Sequence, residues 1–301
     1  MQAHGTDEAQ GGCVMRSMLF VPGDRPERFA KAVASGADAV IFDLEDAVVT
    51  DRRPAARQEI ARYLVSAERH VPLWVRVNPV ESGDVLADLA AVIDGRPDGI
   101  MLPKARNGAD VERASHWLES LEARAGLEPG SIGLIPLITE SAGAVLNAAS
   151  FTKLPARVRG LTWGAEDLAA DVGALANRKA DGEFEFTYAY ARSMCLLAAA
   201  AAGVVAIDTV DTEFRDAAAI ERRARESRRQ GFAGKMAIHP AQIAPIHAAF
   251  SPSADEIEWA GRVLAAFGAA PDSGALSLDG RMLDKPHIRQ AERILAAAAR
   301  R

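Results

Sequence analysis

Two carboxylates follow two neighbouring apolar runs of this 301-residue chain, at the point where each run ends. Glu140 follows the run Gly133–Ile138, and Asp167 follows the run Gly160–Trp163 and a turn at Gly164. The runs predict two consecutive parallel strands, whose carboxyl ends meet at one edge of a sheet. Mg²⁺ takes oxygen ligands and is usually held by one or two carboxylates together with water and substrate. The spacing therefore indicates a magnesium site open enough to chelate a 2-oxo acid and polarise its carbonyl.

The same two acids have a simpler alternative explanation, because a carboxylate in the first turn of a helix is stabilised by the helix dipole. Zinc is disfavoured as the metal, since no His/Cys cluster of the sequence has ligand spacing. The backbone N–H groups of Gly164, Ala165 and Glu166 lie at the predicted helix start, where they are suited to hold a substrate carboxylate or an oxyanion.

Basic residues are expected near the same edge. Arg76 ends another apolar run, and a guanidinium there would stabilise an enolate oxygen or clamp a carboxylate. A salt bridge to Asp43 or Glu45 is the alternative, and the two roles are compatible. Arg25 and Lys31 flank the first turn of the first predicted helix, where they are suited to bind phosphate groups.

Eight short apolar runs alternate with longer amphipathic segments, which is typical of βα units and a parallel sheet. Most runs are continuously hydrophobic, as expected for strands that are covered on both faces. Eight units fit an α/β fold of the (β/α)8 or TIM-barrel type, whose active site lies at the C-terminal ends of the strands. An open doubly wound sheet is the alternative, but no Gly-x-Gly-x-x-Gly follows the first run. The predicted strands are Met18–Val21, Ala39–Leu44, Leu73–Val77, Gly99–Leu102, Gly133–Ile138, Gly160–Trp163, Val204–Val210 and Lys235–Ile238.

Nearly every predicted strand is followed by a charged or hydrogen-bonding residue. One such residue is explained by a solvated loop start, but the repetition at one structural position favours a shared mouth. The residues expected there are Asp43 with Glu45 and Asp46, Arg76, Lys104, Glu140, Asp167, Asp208 and His239.

The two ends of the chain differ from this pattern. Residues 1–14 are polar and Gly-rich without the features of a secretory signal, and we expect a disordered leader. The barrel is predicted over residues 15–250. Residues 251–301 form a C-terminal extension with a helix, a short hairpin and a terminal helix, which exceeds the needs of a barrel and serves as a strut or a lid.

Composition excludes several classes of protein. A net charge of −6 argues against a nucleic-acid or anionic-membrane surface. No apolar run approaches the roughly 20 residues that span a bilayer. The two cysteines, Cys13 and Cys195, give no disulfide framework, and Cys195 is expected to be a buried thiol. We therefore expect a cytoplasmic protein.

Eight segments, in the same order as in one known family, carry a resemblance over about residues 16–300. They are Ser17–Gly23, Phe42–Val48, Arg76–Asn78, Leu102–Lys104, Glu140–Ala144, Trp163–Leu168, Ala237–Ile243 and Gly280–His287. The chain resembles the citrate lyase β-subunit-like family of the HpcH/HpaI aldolase group, which includes malyl-CoA and citramalyl-CoA lyases.

The resemblance implies a barrel that uses Mg²⁺, with Mn²⁺ as the alternative ion. Such an enzyme cleaves, or forms, a 3-hydroxy-3-carboxyacyl-CoA such as citramalyl-CoA or malyl-CoA, with acetyl-CoA and a 2-oxo acid as products. By resemblance Glu140 and Asp167 would bind the metal, and Arg76 would stabilise the thioester enolate. Asp284 would donate or accept the proton at the acyl carbon. From the sequence alone Asp284 is only a turn residue before Pro286.

The resemblance implies further contacts and a partner subunit. Phe20, Arg25 and Lys31 would face the CoA adenine and phosphates, whereas Asp43, Glu45 and Asp46 would surround the metal and hold its waters. The family implies a homo-oligomer, a trimer or a hexamer, in which the C-terminal segment covers a neighbour's active site.

Three alternative functions stay open at this point. The first is a class II pyruvate-dependent aldolase acting on a free hydroxy-oxo acid, although such an enzyme has no need of Arg25, Lys31 or a thioester lid. The second is a citrate lyase β subunit, whose partner is an acyl-carrier protein that bears the thioester. The third is a non-catalytic CoA-binding scaffold, which the intact set of Glu140, Asp167 and Arg76 disfavours.

Overall fold

The structure, a computed structural model, describes residues 15–271 and 273–299. The expected leader, residues 1–14, lies outside the described residues. Eight parallel strands close into a barrel in sequence order, and the first strand pairs with the eighth. The predicted TIM-barrel fold is thus confirmed. The strands are β1 (Ser17–Pro22), β2 (Ala39–Asp43), β3 (Leu73–Arg76), β4 (Gly99–Leu102), β5 (Gly133–Ile138), β6 (Gly160–Trp163), β7 (Val205–Asp208) and β8 (Gly234–Ala237).

Helices connect successive strands, as a parallel barrel requires. In chain order they are α1 (Phe29–Val33), α2 (Arg53–Ser66), α3 (Val85–Val92), α4 (Gly108–Arg124), α5 (Ala142–Leu146), α6 (Ala165–Asp171), α7 (Phe186–Ala202), α8 (Ala217–Gln230) and α9 (Ile243–Phe250). The chain divides into two compact units between Ile246 and His247. Among the described residues, no helix has the length and apolar character needed to cross a membrane.

Side chains from alternate positions of the strands fill the barrel interior. Trp74 is the largest of them, and Gly99 on the next strand leaves room for its indole, since a Cβ at residue 99 would lie 2.1 Å from the ring. The buried members of this cluster are Met18, Ala39, Ile41, Trp74, Met101, Ile135, Leu137, Ile207 and Met236. The interior is therefore packed with side chains, and polar groups gather at its C-terminal end.

A buried ion pair between Glu122 and Arg157 links helix α4 to the segments that precede β5 and β6. Glu122 on α4 accepts hydrogen bonds from Arg157 Nη1 and Nη2 at 3.0 and 2.8 Å. It also accepts from the main-chain N of Gly130 and Ile132, both at 2.8 Å, just before β5. Burial alone would raise the pKa of Glu122, but the hydrogen bonds from Arg157, Gly130 and Ile132 hold it below its ordinary value.

The second unit begins at His247 and contains the predicted helix, hairpin and terminal helix. Its elements are α10 (Ala254–Ala269), β9 (Ala275–Leu278), β10 (Arg281–Asp284) and α11 (Lys285–Ala298). The two strands pair antiparallel, and Leu283 is buried with Val263 and Phe267 of α10 and Ala291 of α11. This unit therefore has an apolar core of its own.

We expect Glu122→Gln to destabilise the barrel by about 3 kcal/mol at pH 7, because Arg157 then stays buried without its counter-charge. Since folding lowers the pKa of Glu122, the stability that it contributes is present above the ordinary value of 4.5 and is lost as the pH falls below it. The difference in the free energy of unfolding between the variant and the wild type should therefore shrink on acidification. Urea unfolding at pH 7 and at a pH below 4.5 measures this difference.

Glu119→Gln is the matched control, because Glu119 lies on the same helix, 51% exposed and 3.8 Å from Arg157. Its effect should stay within about 0.5 kcal/mol. Equal effects of the two substitutions would show that the buried pair contributes nothing special.

Candidate active site

Asp43 and Arg76 end two neighbouring strands and stand opposite each other in the register of β2 and β3. They lie two residues beyond the interior residues Ile41 and Trp74, so both side chains point into the barrel mouth. Arg76 Nε donates to Asp43 Oδ1 at 2.7 Å, and Nη2 donates to Asp43 Oδ2 at 2.6 Å. The salt bridge that the sequence offered as an alternative for Arg76 is therefore formed.

Two further contacts fix the orientation of the Arg76 guanidinium. Its Nη1 lies 3.0 Å from Glu45 Oε2, and its Cζ lies 4.8 Å from the centre of the Phe20 ring. Burial raises the pKa of Glu45 to about 7, against the lowering effects of Arg76 and Lys104, and the neighbouring Asp46 adds to the rise.

Lys104 lies at the mouth as expected, although the sequence indicated no chemical role for it there. Its Nζ lies 2.5 Å from Glu45 Oε1, 3.1 Å from Asp46 Oδ1 and 3.0 Å from Asp167 Oδ1. Its main-chain N donates to Glu140 Oε2 at 2.5 Å. Its position after β4 was the signal that placed it there, because the other members also lie at or shortly after the end of a strand.

Glu140 is buried two residues beyond the end of β5, with 4% of its surface exposed. Gly164 makes room for the carboxylate, because a Cβ at residue 164 would lie 2.7 Å from Glu140 Oε1. Burial raises the pKa of Glu140 well above its ordinary value, and the nearby charges of Asp167 and Glu45 raise it further. A cation beside this carboxylate would offset the unfavourable burial of its charge.

Asp167 lies in the first turn of α6, which begins after Gly164 as predicted. Its carboxylate is partly exposed and contacts Lys104. The Glu166 side chain is exposed and accepts a hydrogen bond from Asn177 Nδ2 at 2.8 Å. The main-chain N–H groups of Ala165 and Glu166 stand at the helix start, where the sequence placed them.

Five carboxylates and two cations thus meet at the ends of the strands, and we name this set the carboxylate cluster. Its members are Asp43, Glu45, Asp46, Glu140, Asp167, Arg76 and Lys104. Glu140, Asp167 and Lys104 also line a cavity of about 380 Å³. The cavity gives a small substrate access to the acids.

The cluster fits a hard divalent cation. The cluster carries more negative than positive groups. Its potential metal ligands are carboxylate oxygens, which Mg²⁺ prefers. Within the described residues, no three His, Cys, Asp or Glu side chains form a complete set of metal ligands. Glu140 and Asp167 would therefore be a partial set, completed by water and substrate as is usual for Mg²⁺.

Asp208 was expected to share the mouth, and this expectation is wrong. Its carboxylate is buried against α7 and α8, where it accepts from Arg192 Nη2 at 2.9 Å and from Ser227 Oγ at 2.5 Å. The interior position on β7 belongs to its neighbour Ile207, so strand alternation turns Asp208 outward.

The expected CoA contacts are distributed over the start of the chain. Phe20 lies beside Arg76 in the cluster. Arg25 is exposed and pairs with Asp24 at 3.8 Å, and Lys31 is exposed on α1. Both cations therefore lie at the surface and not among the carboxylates.

Asp284 belongs to the second unit, where it is the N-terminal cap of α11. Its Oδ1 lies 2.7 Å from His287 Nδ1, and its main-chain N donates to the same ring nitrogen at 3.1 Å. The carboxyl group is about half exposed. It is therefore accessible from solvent and has an imidazole as its hydrogen-bonding partner.

Comparison with known proteins decides the family. Residues 16–240 match the model described as HpcH/HpaI aldolase/citrate lyase. The chain belongs to this family. Residues 192–300 also match a model of C–C bond lyases of the TIM-barrel fold, so the HpcH/HpaI chain is a member of a lyase family.

Relatives of this HpcH/HpaI chain cover nearly its full length. It is 38% identical to a citrate lyase subunit beta-like protein of Mycobacterium tuberculosis, over 93% of this chain and 94% of the relative. It is 37% identical to a (3S)-malyl-CoA thioesterase of Cereibacter sphaeroides, over 94% of each. The crystal structure of protein CitE from M. tuberculosis, in complex with magnesium, acetoacetate and coenzyme A, is similar with a TM-score of 0.80 and 35% identity, covering 95% of this chain and 98% of that one.

We expect Glu140→Gln to stabilise the metal-free protein at and above neutral pH. Because folding raises the pKa of Glu140, its ionised form opposes folding, and the opposition grows as the pH rises from the ordinary value of 4.5. Relief of about 1 kcal/mol would raise the melting temperature by roughly 2–4 °C. Thermal unfolding in a chelating buffer at several pH values measures this.

Glu81→Gln is the control, because Glu81 lines the same cavity but is 60% exposed. It should leave the melting temperature nearly unchanged. If Glu140→Gln instead lowered the stability at every pH, its carboxylate would be a structural acceptor and not a strained ligand.

Proposed function

We propose that this chain is a Mg²⁺-dependent carbon–carbon lyase, with Mn²⁺ as the alternative ion. It cleaves, or forms, a 3-hydroxy-3-carboxyacyl-CoA such as malyl-CoA or citramalyl-CoA, with acetyl-CoA and a 2-oxo acid as products. The observation that carries the proposal is the pair Glu140 and Asp167 at one cavity, within a cluster that holds more carboxylates than cations. The similarity to a solved structure that contains magnesium, acetoacetate and coenzyme A supports it.

Glu140 and Asp167 would hold the metal, which supplies Lewis-acid polarisation of the oxo-acid carbonyl. The first-turn N–H groups of Ala165 and Glu166, after Gly164, would bind the carboxylate of the oxo acid. The charge of the cluster makes these two contributions necessary, because an anionic substrate is otherwise repelled by the acids.

Arg76 would stabilise the enolate oxygen of acetyl-CoA. Asp43 and Glu45 contact all three guanidinium nitrogens, so the planar group needs no reorientation when charge develops on the substrate. N–H groups of Nη1 and Nη2 that do not point at these acids would serve as the donors.

The proton balance defines a role for Asp284. A base takes the proton of the 3-hydroxyl group, the bond between C2 and C3 breaks, and its electron pair passes to C2, the α-carbon of the thioester, to give the enolate. A proton from Asp284 then gives the methyl group of acetyl-CoA. His287 lies 2.7 Å from the carboxyl group and is suited to return a proton to it.

The proposal includes the CoA contacts and the assembly. Phe20, Arg25 and Lys31 would contact the adenine and phosphates of CoA, since two of them are exposed cations. The chain would form a homotrimer or a hexamer, in which Asp284 and the C-terminal extension serve the active site of a neighbouring subunit.

A thioesterase is the second candidate function, because the (3S)-malyl-CoA thioesterase relative is 37% identical over 94% of this chain. Hydrolysis breaks the C–S bond with one water molecule and releases malate and free CoA. A lyase instead breaks a C–C bond and releases acetyl-CoA without a free thiol. The products therefore distinguish the two activities.

We expect the purified chain to cleave one of malyl-CoA, citramalyl-CoA and citryl-CoA in the presence of Mg²⁺ and not in a chelating buffer. The oxo acid is measured as its phenylhydrazone and free CoA by a thiol reagent. Release of glyoxylate, pyruvate or oxaloacetate identifies the acyl group. A thiol signal without oxo acid would favour the thioesterase, and silence on all three would favour a carrier-protein thioester or a free hydroxy-oxo acid.

Arg76→Lys is the variant that tests the enolate contact in this assay. Lysine cannot reproduce the planar fork, so the rate should fall on the order of 10²–10³-fold. Arg124→Lys, at an exposed ion pair with Asp94, is the control and should retain wild-type turnover.

Complementation tests the neighbouring-subunit role of Asp284. Glu140→Gln and Asp284→Asn should each be nearly inactive alone. When the two variants are co-expressed, about a quarter of the sites receive both intact residues if these come from different subunits. Activity should then return to that extent, and continued inactivity of a co-purified mixed oligomer would show that both residues act within one chain.

A further inference from the structure

Lys104 has an unusual backbone for its residue type. Its φ of +52° lies in the left-handed region, which a side chain with a Cβ seldom occupies. The conformation brings its main-chain N to Glu140 Oε2, while its side chain reaches Asp167. One residue therefore contacts both proposed metal ligands, one through its backbone and the other through its ammonium group.

The Lys104 ammonium is shared among three carboxylates. It lies closest to Glu45, at 2.5 Å, and is near 3 Å from both Asp46 and Asp167. Glu45 is buried, whereas Asp46 and Asp167 are partly exposed toward the mouth. Because lysine has a flexible four-carbon stem, its ammonium can leave Asp167 and remain with Glu45 and Asp46.

A divalent cation on Asp167 would compete directly with this ammonium. Both positive charges would use the same carboxylate, and at such short distances within a partly buried site their repulsion is screened only weakly. Lys104 occupies the lone pairs of Asp167 Oδ1 that face it, at 3.0 Å.

We propose that Lys104 is a built-in counter-cation that occupies Asp167 when no metal is bound and yields this carboxylate to the metal, its ammonium staying with Glu45 and Asp46. Lys104 is thus a positioning residue that sets metal affinity and not a ligand. The inference rests on the proposed function, because it takes Glu140 and Asp167 as the metal ligands.

The test measures metal affinity, independently of turnover. Mn²⁺ binding is followed by the loss of the electron paramagnetic resonance signal of the free ion, and Mg²⁺ affinity by its displacement of Mn²⁺. We expect Lys104→Met, which keeps the backbone contact to Glu140 but removes the ammonium, to bind either ion about tenfold more tightly. Lys104→Gln should do the same, and it serves if the methionine variant folds poorly.

Two variants serve as controls. Lys153→Met removes a lysine that is exposed on the same unit, and it should keep wild-type affinity. Lys104→Arg keeps the charge, and its affinity should remain nearer to wild type than that of the neutral variants.

The outcomes separate the inference from the function. Unchanged or weaker metal binding by both neutral variants would overturn it, since Lys104 would then be inert or would only hold the ligands in place. If wild type itself bound neither ion, or if Glu140→Gln bound as well as wild type, the metal assignment of the proposed function would fail instead.

Discussion

Burying more carboxylates than cations is the constraint on which the rest of this site depends. Glu140 and Glu45 are nearly inaccessible, and both carry raised pKa values because of burial. An uncompensated buried charge destabilises the folded state by several kcal/mol, so other parts of the fold must contribute the stability that offsets it. The packed interior below the cluster, around Trp74, is the source of that stability.

The strand ends supply the geometry that the cluster needs. Asp43 and Arg76 follow the regular alternation of their strands, so the barrel aims them without any special backbone. Lys104 and Thr139 depart from it, with φ values of +52° and +62°. These left-handed positions lie beside Glu140 and redirect the chain there, which is where backbone strain is commonly found in functional sites.

The sequence was sufficient to predict the eight strands and the barrel, because each apolar run is short, buried and followed by a helix. It predicted the pairing of Arg76 with Asp43 as one alternative, since both residues end adjacent strands. It failed at Asp208, because β7 is continuously hydrophobic and offers no alternation from which its inner face could be read.

Lys104 shows a different limit of sequence reasoning. Its place after β4 was visible, but its contacts with Asp167 and Glu140 depend on one left-handed residue that no local pattern signals. Glycine usually occupies such a position, and a lysine there gives no warning. The charged side chain that balances a group of carboxylates is therefore harder to predict from sequence than the carboxylates themselves.

A second buried cluster in the same barrel, around Asp208, differs from the carboxylate cluster in that its charges are balanced. Burial acts to raise the pKa of Asp208, yet Lys235 and Arg192 hold it well below its usual range. Its oxygens also accept hydrogen bonds from Trp163 and Ser227, so both the charge and the hydrogen-bonding capacity of this carboxylate are satisfied within the protein. Asp208 therefore stays ionised at ordinary pH, and its oxygens are occupied by hydrogen bonds within the protein.

Glu140, two residues beyond the end of β5, is the opposite case. It is as deeply buried as Asp208, but its described hydrogen-bond donor is a single main-chain N–H, and its charged neighbours include the acids Asp167 and Glu45. The same fold thus holds one carboxylate with its charge compensated and one without. Glu140 lines a cavity, so a cation from solution has access to it and would compensate its charge, whereas the charge of Asp208 is already compensated by side chains of the protein.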